Sequence, residues 1–172
     1  MAAAPDQSAA FLSFLVDFAR LAHPAYPNAL QRVQRAPCVA KLAQPCRDES
    51  ALVGARRGEL VMLREVNLYC GETPVVFAHS VLGRRSLREA WCSISRQGVK
   101  PLGAALFANP LVKRTPLYFK KLTAHHELYH RACRLLKTPP NHLWARRSVF
   151  ILRDRPVMVT EIFLPGILEL SR

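Results

Sequence analysis

The last third of the chain carries two runs of strand-forming residues on either side of a short polar segment. Ser148 to Leu152 and Pro156 to Leu164 are rich in β-branched and aromatic residues, and Arg153-Asp154-Arg155 separates them. Short runs of this kind, bounded by polar turn residues, predict a β-hairpin.

The second of these runs contains an acidic residue among apolar ones. Successive side chains of a strand point to opposite faces. One face carries Val157, Val159, Glu161 and Phe163, and the other carries Met158, Thr160, Ile162 and Leu164. Since both faces are apolar, we expect a well-buried strand and a Glu161 carboxylate with little water around it. Such a carboxylate is costly unless it is paired, hydrogen-bonded or protonated, so Glu161 needs a partner in the fold or in a ligand.

A second hairpin is predicted from Glu59 to Leu82, with Gly71-Glu72 as its turn. In its first strand Arg64 shares a face with three aliphatic side chains, those of Met62, Val66 and Leu68. Two interpretations are open. Arg64 lies on an edge strand and extends its guanidinium to water, or it is an interior guanidinium held for a carboxylate.

Helical periodicity accounts for much of the remaining chain. Amphipathic helices are predicted at Phe11 to Ala22, at Ser86 to Gln97 with Ser86 as its N-cap, and at Thr123 to Leu136. A short helical turn at Leu102 to Phe107 follows Pro101, and its first backbone N–H groups suit an anion. The order of elements predicts one α+β domain over residues 1–172, an antiparallel sheet with flanking helices.

Composition and charge narrow the partners without choosing among them. The chain has 172 residues, half of them hydrophobic, and a formal net charge of +13. This charge favours anionic partners, but the basic residues are scattered pairs without a nucleic-acid-binding module, so nucleic acid is not the expected partner. No apolar run approaches the ~18 residues of a membrane span. The N-terminus lacks a basic region typical of secretory signals, and the five cysteines have no CxxC spacing. Both features predict a cytoplasmic protein with reduced thiols.

One motif points to metal chemistry. His126-Glu127-Leu128-Tyr129-His130 fits the H-E-x-x-H pattern, in which two histidines bind zinc and the glutamate activates water. The surrounding basic residues instead favour a half-exposed surface helix, whose core face consists of Leu128, Ala132 and Leu135. A zinc hydrolase is therefore a minor alternative, and no metal site is expected.

Four segments together resemble the bacterial chorismate pyruvate-lyase family. They are Leu63-Arg64-Glu65-Val66, Lys100-Pro101-Leu102-Gly103, Leu143-Trp144-Ala145-Arg146-Arg147-Ser148, and Thr160-Glu161-Ile162-Phe163-Leu164-Pro165. Their order and spacing match the family as well, and the resemblance covers roughly residues 59 to 165.

The resemblance implies an enzyme that converts chorismate to 4-hydroxybenzoate and pyruvate without metal or cofactor. The product would serve quinone pathways, such as ubiquinone biosynthesis, or aromatic-polyketide pathways. It implies a largely enclosed site in a single α+β domain, for which we favour a monomer. Carried over by position, Arg64 binds the ligand, Leu102 offers its backbone N–H to the aromatic ligand, and Glu161 is the catalytic carboxylate at the reacting ring, with Arg64 assisting it.

Two features leave another function open. Where the family has a Ser-Met/Leu-Thr segment after the first helix, this chain has His23-Pro24-Ala25-Tyr26-Pro27, and its segment from Asn109 to His142 is longer. The main alternative is therefore a non-catalytic domain of the same fold that binds a small aromatic acid, like the UTRA-type effector domains of bacterial transcription regulators.

Overall fold

The fold is built on one antiparallel sheet. A computed structural model describes residues 33–35, 38–92, 102, 106 and 109–171. In this part of the chain the sheet has eight strands. They are β1 (Val33–Arg35), β2 (Val39–Ala43), β3 (Val61–Cys70), β4 (Thr73–Leu82), β5 (Lys113–Arg114), β6 (Tyr118–Leu122), β7 (Leu143–Leu152) and β8 (Arg155–Phe163). The helices are α1 (Arg84–Arg88), α2 (Glu127–Cys133) and a 3-10 helix (Pro165–Ser171). The predicted α+β class is confirmed, whereas the predicted helix at 11–22 lies outside the described residues.

The two predicted hairpins form the centre of the sheet, in the order β3, β4, β8, β7. Strands β1 and β2 both pair with β3, and β5 and β6 both pair with β7. Each central strand has nine or ten residues. Each of them pairs with a neighbouring strand on both sides.

The hairpin of β7 and β8 differs from its prediction at the turn. Only Arg153 and Asp154 form the turn, with φ values of 49° and 57°, and Arg155 is already the first residue of β8. Two consecutive residues with positive φ form the two-residue turn whose twist matches that of the flanking strands. The first strand of this hairpin begins at Leu143, well before the predicted Ser148.

The sheet has apolar clusters on both faces. The front face is defined here as the face that carries Arg64 and Glu161, and the back face as the opposite one. Two clusters lie on the front: one around Leu82, Trp91, Leu102, Phe150 and Val157, the other around Val76, Phe163 and Ile167. Helix α2 packs against the back through Leu128, Tyr129, Ala132 and Cys133.

The two described helices differ from their predicted bounds. Helix α1 ends at Arg88, and residues 93–97 of the predicted helix lie outside the described residues. Helix α1 starts after Gly83, not at Ser86, and Ser86 is buried inside it. A Cβ on Gly83 would lie 3.0 Å from the carbonyl oxygen of Val53, so a close backbone contact explains a glycine at this helix start. Helix α2 begins at Glu127 rather than Thr123.

A network of buried charges fastens the segment after β2 to the back face. His79 and Glu49 are fully buried. His79 Nε2 lies 3.3 Å from Glu49 Oε1, and His79 Nδ1 lies 3.1 Å from Glu65 Oε1. Arg131 donates to the same Glu65 oxygen at 2.7 Å, and Arg147 Nη2 lies 3.7 Å from Glu49. Because two carboxylates lie within 3.3 Å of the ring nitrogens, this arrangement favours a protonated His79.

The network predicts a characteristic dependence of stability on pH. Burial alone would lower the pKa of His79, but hydrogen bonds to Glu49 and Glu65 outweigh it and raise this pKa above 6.5. Burial alone would raise the pKa of Glu65, but hydrogen bonds from His79 and Arg131 outweigh it and lower this pKa to about 2. The contribution of His79 to the free energy of unfolding is therefore complete below the pKa that His79 has in the unfolded chain. It is lost as pH rises through the pKa that His79 has in the folded protein. The contribution of Glu65 is complete above the pKa that Glu65 has in the unfolded chain, and it is lost as pH falls through its lower pKa in the folded protein.

We therefore expect the free energy of unfolding to peak near about pH 5 to 6, where both contributions are present. Urea unfolding from about pH 3 to about pH 9, compared between the wild type and His79→Gln, measures this. The difference in stability should shrink as pH rises above about 6.5, since glutamine does not titrate. A difference that stays constant across this range contradicts a protonated His79.

Candidate active site

The register of the sheet places Arg64 and Glu161 on the same face. Arg64 is opposite Ser80, Ser80 is opposite Val159, and Val159 is opposite Ser148, which forms one cross-strand row. The next row on this face runs through Ala78, Glu161 and Arg146. Small side chains on β4 therefore lie between the guanidinium on β3 and the carboxylate on β8. From strand geometry, the backbone of Arg64 and the backbone of Glu161 are roughly 11 Å apart.

Arg64 is an interior guanidinium. Its side chain belongs to β3, which is paired on both sides, and only 8% of the residue is exposed. The interpretation of Arg64 as an edge-strand residue that reaches water is therefore wrong. A buried guanidinium is a strong, geometrically fixed binder of carboxylates.

Glu161 has a partner within the fold. Arg146 Nε donates to Glu161 Oε2 at 2.8 Å, and Arg146 Nη2 donates to the same oxygen. The Arg146 side chain is 3% exposed and that of Glu161 is 24% exposed, so the carboxylate is half-buried rather than dry. Within the described residues, no hydrogen bond reaches the other oxygen, Oε1. One oxygen is thus fixed by the protein while the other is available to a ligand.

Apolar clusters border these charges on two sides. Leu102 is buried beside Trp91 and Phe150 in one cluster, and the Trp91 indole donates to the Arg155 carbonyl at 2.7 Å. On the other side, the Phe163 ring centroid lies 5.7 Å from Arg146 Cζ. The side chain of Leu102 therefore contributes to the site's apolar wall. The role of its backbone N–H stays a prediction, because its chain neighbours lie outside the described residues.

The side chains of the H-E-x-x-H motif contact residues of helix α2 or of the segment just before it. His126 is the N-cap of α2, and its Nδ1 lies 3.1 Å from the Thr123 backbone nitrogen. His130 Nε2 lies 2.7 Å from the Ala124 carbonyl oxygen, and Glu127 pairs with Arg131. In the part of the chain that the structure describes, no three His, Cys, Asp or Glu side chains are grouped to hold a metal ion. The predicted core face of this helix is confirmed for Leu128 and Ala132, which are buried, whereas Leu135 lies beyond the helix and is partly buried.

Sequence reasoning gave no role to Arg146, although it lies in a segment that carries the family resemblance. The signal would have been the length of the turn. Counting back from a two-residue turn at Arg153-Asp154 pairs Arg146 with Glu161. Ser80 and Ser148 were also missed, and both are buried polar residues in the row that starts at Arg64.

Comparison with known proteins identifies the family. The family model described as chorismate lyase matches residues 28–171. The chain belongs to the chorismate lyase family. A protein from Nitrosospira multiformis named probable chorismate pyruvate-lyase is 59% identical over 135 residues, which are 78% of this chain and 75% of that protein. A protein of the same name from Aromatoleum aromaticum is 51% identical over 132 residues, covering 76% and 71% of the two chains.

Solved structures with a similar fold include domains of transcription regulators. The C-terminal domain of the histidine utilization repressor from Pseudomonas syringae matches with a TM-score of 0.59 and 14% identity, over 78% of this chain and 93% of that one. A GntR-family regulator from Bacillus cereus matches with a TM-score of 0.57 and 12% identity, over the same shares. At such identities the likeness shows the fold alone, the one that members of the chorismate lyase family were expected to share with these domains.

No helix among the described residues of this chorismate lyase family member is long and apolar enough to cross a membrane.

Proposed function

We propose that this chain is a chorismate pyruvate-lyase, which cleaves chorismate to 4-hydroxybenzoate and pyruvate. The observation that carries the proposal is the front face of the sheet. There a buried arginine and a carboxylate with one available oxygen lie in adjacent rows between two apolar clusters. Membership of the family and relatives named probable chorismate pyruvate-lyase support it.

The reaction requires two bonds to break on neighbouring ring carbons. The proton on C4 leaves, the electron pair of that C–H bond becomes the new ring double bond, and the ether bond from C3 to the enolpyruvyl oxygen breaks. The ring is then aromatic 4-hydroxybenzoate, and the released enolpyruvate takes up a proton to become pyruvate. Because aromatisation makes this step downhill, positioning of the substrate can supply much of the acceleration.

Each residue of the site has a role in this scheme. Glu161 accepts the C4 proton on Oε1 or hydrogen-bonds the ring hydroxyl, as a general base does. Arg146 is a positioning residue that fixes the carboxylate through Oε2. Arg64 binds a carboxylate of the ligand and offsets its charge, and the Leu102 backbone N–H is proposed as a further contact.

The proposal includes the absence of any cofactor, since a positioned base and a bound guanidinium suffice for this elimination. It also includes a cytoplasmic, monomeric enzyme whose product serves quinone biosynthesis. All five cysteine side chains are thiols, in keeping with a reducing compartment.

The test is to mix the purified protein with chorismate and to follow both products. We expect 4-hydroxybenzoate and pyruvate in equal amounts, at a rate that EDTA does not change. The second candidate, a non-catalytic binding domain, is favoured by the structural likeness to regulator domains. Chorismate that binds and is recovered unchanged would establish that candidate instead.

A further inference from the structure

A third arginine, Arg114, reaches the front face from the edge of the sheet. It lies on β5, where its backbone is opposite Phe150 of β7. Its Nη2 lies 3.4 Å from Ser148 Oγ, and its Cζ lies 5.5 Å from the centroid of the Phe150 ring. The side chain therefore runs along the front of β7 toward the row that begins at Arg64.

Arg64 and Arg114 bracket that row from its two ends. Ser148, which Arg114 contacts, is three strands away from Arg64, about 14 Å between backbones. Ser80 and Val159 form the floor between them. Arg64 is buried, whereas Arg114 is exposed at the rim.

The charges of this region also match a dianion better than a monoanion. Arg64, Arg114 and Arg146 face it, and Arg146 is paired with Glu161. Burial and the neighbouring Arg146 lower the pKa of Arg114, and Glu161 opposes that shift, which indicates that Arg114 lies within electrostatic reach of both. An arginine stays charged nonetheless. The arginine and glutamate side chains named here carry three positive charges and one negative charge, a balance that complements a ligand with two separated carboxylates.

We propose that Arg114 binds the enolpyruvyl carboxylate of chorismate while Arg64 binds the ring carboxylate. This inference rests on the proposed function and extends it by assigning the second anionic group of the substrate to a residue. The scissile ether then lies between the two guanidinium groups, beside Glu161 in the adjacent row. The exposed position of Arg114 places the departing pyruvate at the open rim.

The inference has a consequence that a purely structural role for Arg114 lacks. Chorismate has two carboxylates, whereas 4-hydroxybenzoate keeps only the ring carboxylate. Arg114 should therefore contribute to the binding of substrate and not to the binding of product, whereas Arg64 should contribute to both. A residue that merely supported the strand would affect both ligands alike.

The experiment compares Arg114→Gln with a matched control, Lys113→Gln. Lys113 is the adjacent residue of the same two-residue strand, is exposed, carries the same charge, and faces the back because it pairs with Ile151. We expect Arg114→Gln to raise the KM for chorismate about 10- to 100-fold, the effect of losing a hydrogen-bonded ion pair. Its Kd for 4-hydroxybenzoate should stay within about twofold of the wild type. Lys113→Gln should change neither.

The outcomes separate the inference from the proposed function. Unchanged chorismate kinetics in Arg114→Gln, or equal losses for chorismate and 4-hydroxybenzoate, overturns the role of Arg114. If the wild type binds chorismate without converting it, the lyase proposal fails. Direct titration of chorismate and 4-hydroxybenzoate into the wild type and Arg114→Gln still decides the inference. It predicts that Arg114→Gln binds chorismate more weakly than the wild type does and binds 4-hydroxybenzoate equally well. A wild type that binds neither ligand overturns both.

Discussion

Glu161→Gln should lower kcat for chorismate by about 10²- to 10⁴-fold, the usual contribution of a positioned general base. Glutamine has nearly the same shape, and its carbonyl oxygen can still accept from Arg146, so the fold and the binding of 4-hydroxybenzoate should persist. Steady-state kinetics with chorismate, together with a thermal unfolding curve for each variant, measures the effect. The KM should change far less than kcat, because the lost interaction belongs to the reacting ring.

The matched control is Glu89→Gln. Glu89 is an exposed carboxylate paired with Arg155, so the substitution makes the same chemical change at the far end of β8, six residues from Glu161. We expect its kinetics to equal those of the wild type. A Glu161→Gln enzyme that turns over chorismate at the wild-type rate would remove Glu161 from the mechanism.

The second large effect is expected at Arg64. Arg64→Met keeps an unbranched, buried side chain of similar reach but removes the guanidinium, so the sheet should tolerate it. Both chorismate and 4-hydroxybenzoate should bind about 10- to 150-fold more weakly, as expected for the loss of a charged hydrogen bond. Isothermal titration with 4-hydroxybenzoate measures this without interference from turnover.

Arg88→Met serves as the control for Arg64→Met. Arg88 is exposed in α1, so its replacement changes the net charge equally without touching the front face. Its affinity for 4-hydroxybenzoate should match that of the wild type. Equal affinities in the wild type and Arg64→Met would show that the ligand carboxylate is held elsewhere.

The strand alternation was sufficient to mark Arg64 and Glu161 as charges among apolar side chains. The register of β3, β4 and β8 is what brings both charges to one face of the sheet. The fold class followed from the order of elements. The alternation within each strand and the order of elements can be predicted from the sequence, because both depend on local pattern and not on contacts distant in sequence.

The partner of Glu161 escaped prediction for a definable reason. A three-residue turn at Arg153 to Arg155 would pair Leu152 with Pro156 and would set Arg147, not Arg146, opposite Glu161. The true turn has two residues, both with positive φ. Neither is a glycine, the residue whose presence would have indicated a two-residue turn. A change of one residue in the turn thus changes which arginine faces the front.

Two further features depend on contacts distant in sequence. Glu49 lies outside every element predicted from the sequence, yet it is fully buried, and it pairs with His79, thirty positions later. The N-cap of helix α1 is Gly83 rather than Ser86, and a Cβ at Gly83 would lie 3.0 Å from the carbonyl oxygen of Val53. Neither contact leaves a signature in the local pattern.

The central claim is that one small ligand contacts both Arg64 and Glu161 on the front face. A crystal structure of the protein with 4-hydroxybenzoate bound tests it most directly. We expect the ligand carboxylate at the Arg64 guanidinium and the phenol oxygen at Glu161, each within about 2.6–3.2 Å. A ligand on the back face, or one that contacts neither side chain, would contradict the account.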